Sequence, residues 1–179
     1  MRERVRLKQR EPEAKQPSSY EKIFTYMRLR REQGLTGGLV RRAAEIPWEQ
    51  NRQGHLRYYL YPGTPDVGLA DWMVFTHDIQ TKSGKHRHQG GLVIYVLKGK
   101  GFTTVDDDRV DWEKGDLLLL PCQPGGVTHQ HFNTQVDQPS TWLALLFTPW
   151  FGAMGDELEQ VEVSPNFKGY DSDGVPLER

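Results

Sequence analysis

GKHRHQGGLVIYVLKGKG, residues 84–101, reads as a short strand carrying two histidines, a glycine turn, and an apolar strand that ends in a second glycine turn. Side chains two apart on an extended chain point to the same side, so His86 and His88 share one face while Arg87 faces the other way. A second segment, GDLLLLPCQPGGVTHQHFN (115–133), places a Pro-Gly-Gly turn before His129, with His131 and Asn133 following in the same phase. Antiparallel pairing inside a small closed barrel can bring His129 to the point that His86 and His88 face. Imidazole suits Fe, Ni, Cu and Zn, and three rings on one face leave coordination positions open for substrate and for oxygen or water. His86, His88 and His129 are therefore the candidate metal ligands.

Around these two segments the pattern is of short runs with a period of two, separated by Gly, Pro and Asp. HLRYYLY (55–61), WMVFTHDI (72–79), LVIYVL (92–97), FTTV (102–105), RVDW (109–112), LLLL (117–120), THQHFN (128–133) and TWLALLF (141–147) are eight expected strands. Lys98-Gly99-Lys100-Gly101 and Asp106-Asp107-Asp108 fall where hairpins need residues that tolerate the left-handed region. Eight strands at this spacing predict an all-β fold, a jelly-roll barrel, over residues 35–150.

The flanks differ in character. Residues 1–17 are nearly all polar or charged and are expected to form a flexible arm. Ser18 and Glu21 have the spacing of a capping box, and Tyr20, Ile23, Phe24 and Met27 recur at helical spacing, which predicts one amphipathic helix over 18–34 with Gly34 as its stop. That helix is expected to pack on the barrel or on a second subunit. Residues 151–179 carry no period and are expected to be an irregular tail.

A chain of 179 residues with 36% hydrophobic residues has room for one substantial core. Its formal net charge of −1 gives no field for nucleic acid or an anionic membrane. Residues 1–57 hold 14 Lys and Arg against 7 Asp and Glu, a basic arm on an acidic body, with no groove-reading motif. The single cysteine, Cys122, excludes an intrachain disulfide and is expected to be an ordinary buried thiol. The N-terminus lacks the apolar core of a secretory signal and no apolar run is long enough to span a bilayer, so a cytoplasmic protein is expected.

Together the two histidine segments resemble the two signature motifs of the cupin superfamily. The first motif is matched by His86, His88 and Gly99, the second by Gly115, Pro121, Gly126, His129 and Asn133, within a resemblance that covers roughly residues 70–148. It implies a cupin barrel, the double-stranded β-helix, holding one divalent metal. In one respect the chain departs from the pattern: Leu92 or Val93 stands where cupins commonly supply a fourth, glutamate ligand. Gln89 is the nearby polar side chain that could substitute. Three neutral histidines leave the metal charge less compensated, which favours anionic chelating substrates.

Three-histidine cupins include the gentisate and salicylate type of ring-cleaving dioxygenase, the β-diketone dioxygenases and the thiol dioxygenases. The resemblance implies Fe(II), with Ni, Mn, Zn and Cu as alternatives, and an Fe(II) dioxygenase that takes O2 and a small oxygenated or aromatic substrate. His131 and Gln89 are the expected groups for proton handling or ligand orientation. A metal-dependent lyase or isomerase of a small carboxylate or carbonyl compound, and a non-catalytic binding cupin, are the alternatives. A homodimer or higher homo-oligomer is expected, with no nucleic acid and no membrane partner.

Overall fold

The structure is a computed structural model that describes residues 16–155 and 157–169. Most of the arm expected over 1–17 and the end of the expected tail lie outside the described residues. The described residues fall into two units, one running to Gly38 and including Asp66–Leu69, the other holding Leu39–Pro65 and the chain from Ala70.

In the first unit, helix α1 spans Ser19–Thr36. Ser18 is its N-cap, and the hydroxyl accepts from the Glu21 backbone N–H at 3.2 Å, satisfying one of the four donors a helix start leaves open. The expected stop at Gly34 is not used. The helix runs on to Thr36 and ends at Gly37, whose N–H bonds the Gln33 carbonyl. Gly34 keeps a helical φ, so its permissive backbone costs some stability without breaking the ladder.

The second unit is a jelly-roll barrel of two antiparallel sheets. In chain order the strands are β1 Glu49–Asn51, β2 Gly54–Leu60, β3 Trp72–Ile79, β4 Lys85–His88, β5 Leu92–Lys98, β6 Lys100–Val105, β7 Asp108–Glu113, β8 Leu117–Leu120, β9 Val127–Asn133, β10 Ser140–Phe147 and β11 Glu159–Glu162. A short helix, α2, follows β10 at Thr148–Ala153. One sheet has the order β1-β2-β3-β10-β5-β8 and the other β11-β4-β9-β6-β7.

All eight expected strands form. β10 shows why: Ser140, Trp142, Ala144 and Leu146 alternate with less buried neighbours, so one face enters the core and the other leaves it. The same alternation puts Leu92, Ile94 and Val96 inward on β5 and Leu118 and Leu120 inward on β8. Trp112 of β7 joins this cluster from the opposite sheet. Each fully buried Leu or Ile here, such as Leu56, Ile79 or Ile94, contributes about 1.5–3 kcal/mol.

Three further strands and α2 were not among the eight, and two of them matter for the site. β4, only four residues long, carries the histidine pair, and β11 lies beside it, so the region expected to be an irregular tail supplies an edge strand. Cys122 is exposed and accepts a hydrogen bond from Trp150 Nε1 at 3.4 Å, which corrects the expected buried thiol.

Candidate metal centre

β4 pairs antiparallel with β9, and the register sets His86 opposite His129 and His88 opposite Val127. His86, His88, His129 and His131 are all buried, while Arg87 on the other face of β4 is exposed and pairs with Glu159 of β11 at 2.6 Å. Strand alternation thus sorts the KHRH run into ligand-type side chains inside and a solvent-screened ion pair outside. One ligand atom from each of His86, His88 and His129 lies within 4.8 Å of the others. Ring centroids are 4.1 Å apart for His86 and His129 and 4.8 Å for His88 and His129.

Burial keeps His86 and His129 neutral. Desolvation is the first cause for both; His86 is lowered to about 3, with His88 and other rings adding to the effect, and His129 is held well below the ordinary imidazole range. A neutral ring is the form that offers a lone pair to a metal. His129 Nδ1 donates to the Val127 carbonyl at 3.3 Å, which leaves Nε2 as the acceptor, and that atom is buried without a partner among the described residues. His86 Nδ1 is likewise buried and has no partner within hydrogen-bond geometry among them. Unsatisfied polar atoms of this kind cost stability, and a divalent cation would satisfy both. The donor set therefore fits a metal. His88 differs, because its Nδ1 accepts the Gly90 N–H at 3.0 Å. Ligation through Nε2 would require the ring proton on Nδ1, which ends the bond from Gly90.

Gly90 is a position where only glycine fits. Its φ is +87°, and a Cβ would stand 1.8 Å from the Pro121 carbonyl oxygen. The close approach ties the end of β4 to the segment after β8.

His131 lies on β9 two residues beyond His129, with ring centroids 5.4 Å apart. Its Nδ1 is 2.7 Å from Thr103 Oγ1, which also accepts Trp112 Nε1–H at 2.9 Å. The Thr103 hydroxyl thus bridges the indole N–H and the His131 ring. His131 Nε2 is buried without a partner among the described residues. Neither Thr103 nor Trp112 is expected at the site from the sequence; both sit in ordinary strands, and only the pairing of β6 with β7 and β9 brings them to His131.

The remaining candidates fall elsewhere. The Gln89 side-chain oxygen accepts the Glu157 N–H at 3.0 Å, fastening the end of β4 to the segment before β11. Asn133 donates to the carbonyls of Gln80, Gln135 and Gln138 and accepts from Ser140 Oγ, organising the loop into β10. His77 packs against Trp142 and covers Gly54, where a Cβ would stand 2.3 Å from His77 Nε2. Its pKa is lowered to about 3 by desolvation.

A cavity of about 330 Å3 opens beside the rings and is lined by His86 and His88. Its other walls include Tyr58, Phe75, Leu92, Leu146 and Phe151. Phe151 comes from α2 and stands 5.7 Å, centroid to centroid, from His88. Tyr58 has its pKa raised, chiefly by burial, so it is a neutral phenol.

Residues 73–146 match the model of the cupin domain. Among curated proteins, a gentisate 1,2-dioxygenase from Streptomyces sp. is 34% identical over 91 residues, which is 50% of this chain and 24% of that protein. A gentisate 1,2-dioxygenase from Ralstonia sp. is 35% identical over 65 residues, covering 36% of this chain and 17% of its own length. The chain thus spans about a quarter or less of these relatives. Among solved structures, the polyketide cyclase RemF from Streptomyces resistomycificus is 18% identical, with a TM-score of 0.50 over 72% of this chain and 87% of that one, a likeness of fold. The barrel, the motif glycines and the three converging histidines agree with the domain match: residues 73–146 are a cupin domain.

Proposed function

We propose that the chain is a metal-dependent cupin enzyme, an Fe(II) dioxygenase acting on a small oxygenated or aromatic substrate. The observation that carries this reading is the trio His86, His88 and His129, the first two of which line an apolar cavity, with two buried ring nitrogens left unpartnered among the described residues. The partial likeness to gentisate 1,2-dioxygenases favours dioxygen chemistry over the lyase and isomerase alternatives. Bound iron would supply Lewis acidity and one-electron chemistry toward an oxygen chelate and O2.

The chain's own residues have separable tasks. His86, His88 and His129 hold the ion as neutral donors, and the Leu92 and Val93 side chains add no carboxylate to offset its charge. Apolar walls exclude water, which strengthens every electrostatic interaction inside. His131, its Nδ1 held by Thr103, presents Nε2 beside the metal ligands as the candidate for proton handling. Gln89 orients the end of β4 through Glu157. Elemental analysis of protein purified without oxygen, followed by oxygen uptake with Fe(II) against phenolic acids, diketones and thiols, tests the reading. Iron at one per chain with substrate-dependent oxygen uptake is expected; a chain that takes up no divalent metal refutes it.

A further inference from the structure

None of the described residues lining the cavity beside His86 and His88 carries a charge. Met73, Phe75, Leu92, Leu146 and Phe151 form its body, and the polar groups other than the histidines are the Tyr58 phenol, Gln53 and Thr148. The nearest basic side chain in sequence, Arg87, is turned to the outer face of β4 and engaged by Glu159. Lys85 shares that outer face by strand alternation. A carboxylate held away from the metal would therefore enter an apolar wall with no cation to receive it, and burying an unpaired charge is heavily penalised.

We propose that this cavity selects a compact substrate with an uncharged, apolar body, one that offers oxygen atoms only at the end facing the histidines and is rejected when it carries a second, remote carboxylate. The inference rests on the metal reading above for the polar end alone; the selection against a remote charge belongs to the walls. At about 330 Å3 the space suits a molecule of about a dozen non-hydrogen atoms, a substituted single ring or an acyclic diketone of that size. Phe75 and Phe151 offer aromatic surfaces for a ring, and the Tyr58 phenol, kept protonated by burial, can donate one hydrogen bond to a neutral oxygen. A site built for a diacid or a carboxylated phenol would need an arginine or lysine among these residues, and the described lining contains neither.

The test uses 4-methylcatechol and 3,4-dihydroxybenzoate, which share the chelating diol and differ by a methyl against a carboxylate at one ring position. Both are titrated anaerobically by calorimetry into the metal-free protein and into protein loaded with cobalt(II), whose uptake is measured separately by elemental analysis. Binding of the methyl compound at least about tenfold more tightly in both forms is expected. Equal or tighter binding of the acid, or no binding of 4-methylcatechol to either form, overturns the proposal. Failure of cobalt to bind, with the methyl preference intact in metal-free protein, would sink the metal reading and leave the cavity inference standing. Leu158 also lines the cavity and is 59% exposed, so Leu158→Lys tests the cause without a burden on folding. It should raise the affinity of the acid relative to 4-methylcatechol about threefold or more; an unchanged ratio would overturn the missing cation as the cause.

Discussion

His86 of β4 and His129 of β9 are direct partners across an antiparallel ladder, and their rings meet at a centroid distance of 4.1 Å. Two residues 43 positions apart in the chain are thereby held as a preformed pair by backbone hydrogen bonds on two strands. A pair of this kind needs little reorganisation to take a metal.

Replacing either ring should empty the site while the barrel persists. His86→Asn and His129→Asn are expected to cut bound metal from about one ion per chain to about a tenth or less under the same loading, since loss of a ligand from a three-ligand set removes much of the affinity. Elemental analysis alongside circular dichroism checks this. Wild-type metal content in both variants would count against the site.

Metal should also stabilise the fold by mass action. At a free-metal concentration about a hundred times the dissociation constant, the gain is about 2.7 kcal/mol, read as a rise in melting temperature that chelator reverses. In His129→Asn the same addition should give no rise.

The Thr103 hydroxyl joins Trp112 to His131, so Thr103→Val should strand two buried polar groups and cost about 1–3 kcal/mol. Metal content should stay near wild type, and turnover should fall because His131 loses the partner that holds its ring. Thr103→Ser, which keeps the hydroxyl, should recover both stability and turnover; a Ser variant as impaired as Val would show that packing, not the hydrogen bond, is at stake.

His77 supplies a pH dependence away from the metal ligands. Folding lowers its pKa from 6.5 to about 3, so below pH 6.5 the unfolded chain binds a proton that the native chain refuses. Stability from this ring is complete above 6.5 and is lost as the pH falls from there toward 3, amounting to about 2 kcal/mol at pH 5. Melting of chelator-treated protein from pH 7 to pH 4.5 should show a shallower decline in His77→Phe than in wild type. Parallel curves would remove His77 as a cause.

Gly90→Ala should be more damaging than its size suggests. A Cβ there would overlap the Pro121 carbonyl, and the φ of +87° is strained for alanine. Loss of the close approach that ties the end of β4 to Pro121 is expected to weaken metal binding along with stability, measured as metal retained after dialysis.

The histidine set was legible because strand alternation is local. The HxH at 86–88 could present both rings to one face only if extended, and the phase of His129 and His131 follows from the same period of two. Arg87 was placed outside by that rule, and its ion pair with Glu159 agrees. Where a feature depended on a neighbour far away in sequence, the chain gave no local sign. Gly34 has the composition of a helix stop, yet the backbone bonds that end α1 are made at Gly37. Residues 159–162 have no strand-like periodicity, and their pairing with the exposed edge of β4 makes them a strand. Cys122 looked like a core thiol in an apolar stretch, but the turn after β8 carries it to the surface.

Sequence alone therefore determined the all-β class, the inward phase of His86, His88, His129 and His131, and the glycines that turn the chain between strands, because each follows from backbone geometry over a few residues. Tertiary structure alone decided which strands meet. It set His86 opposite His129, gave His131 its Thr103 partner, and walled the site with Tyr58, Phe75 and Phe151 from three separate elements. Periodicity fixes the face a side chain points to; what lies across from that face depends on pairings between strands distant in the chain, which no local pattern records.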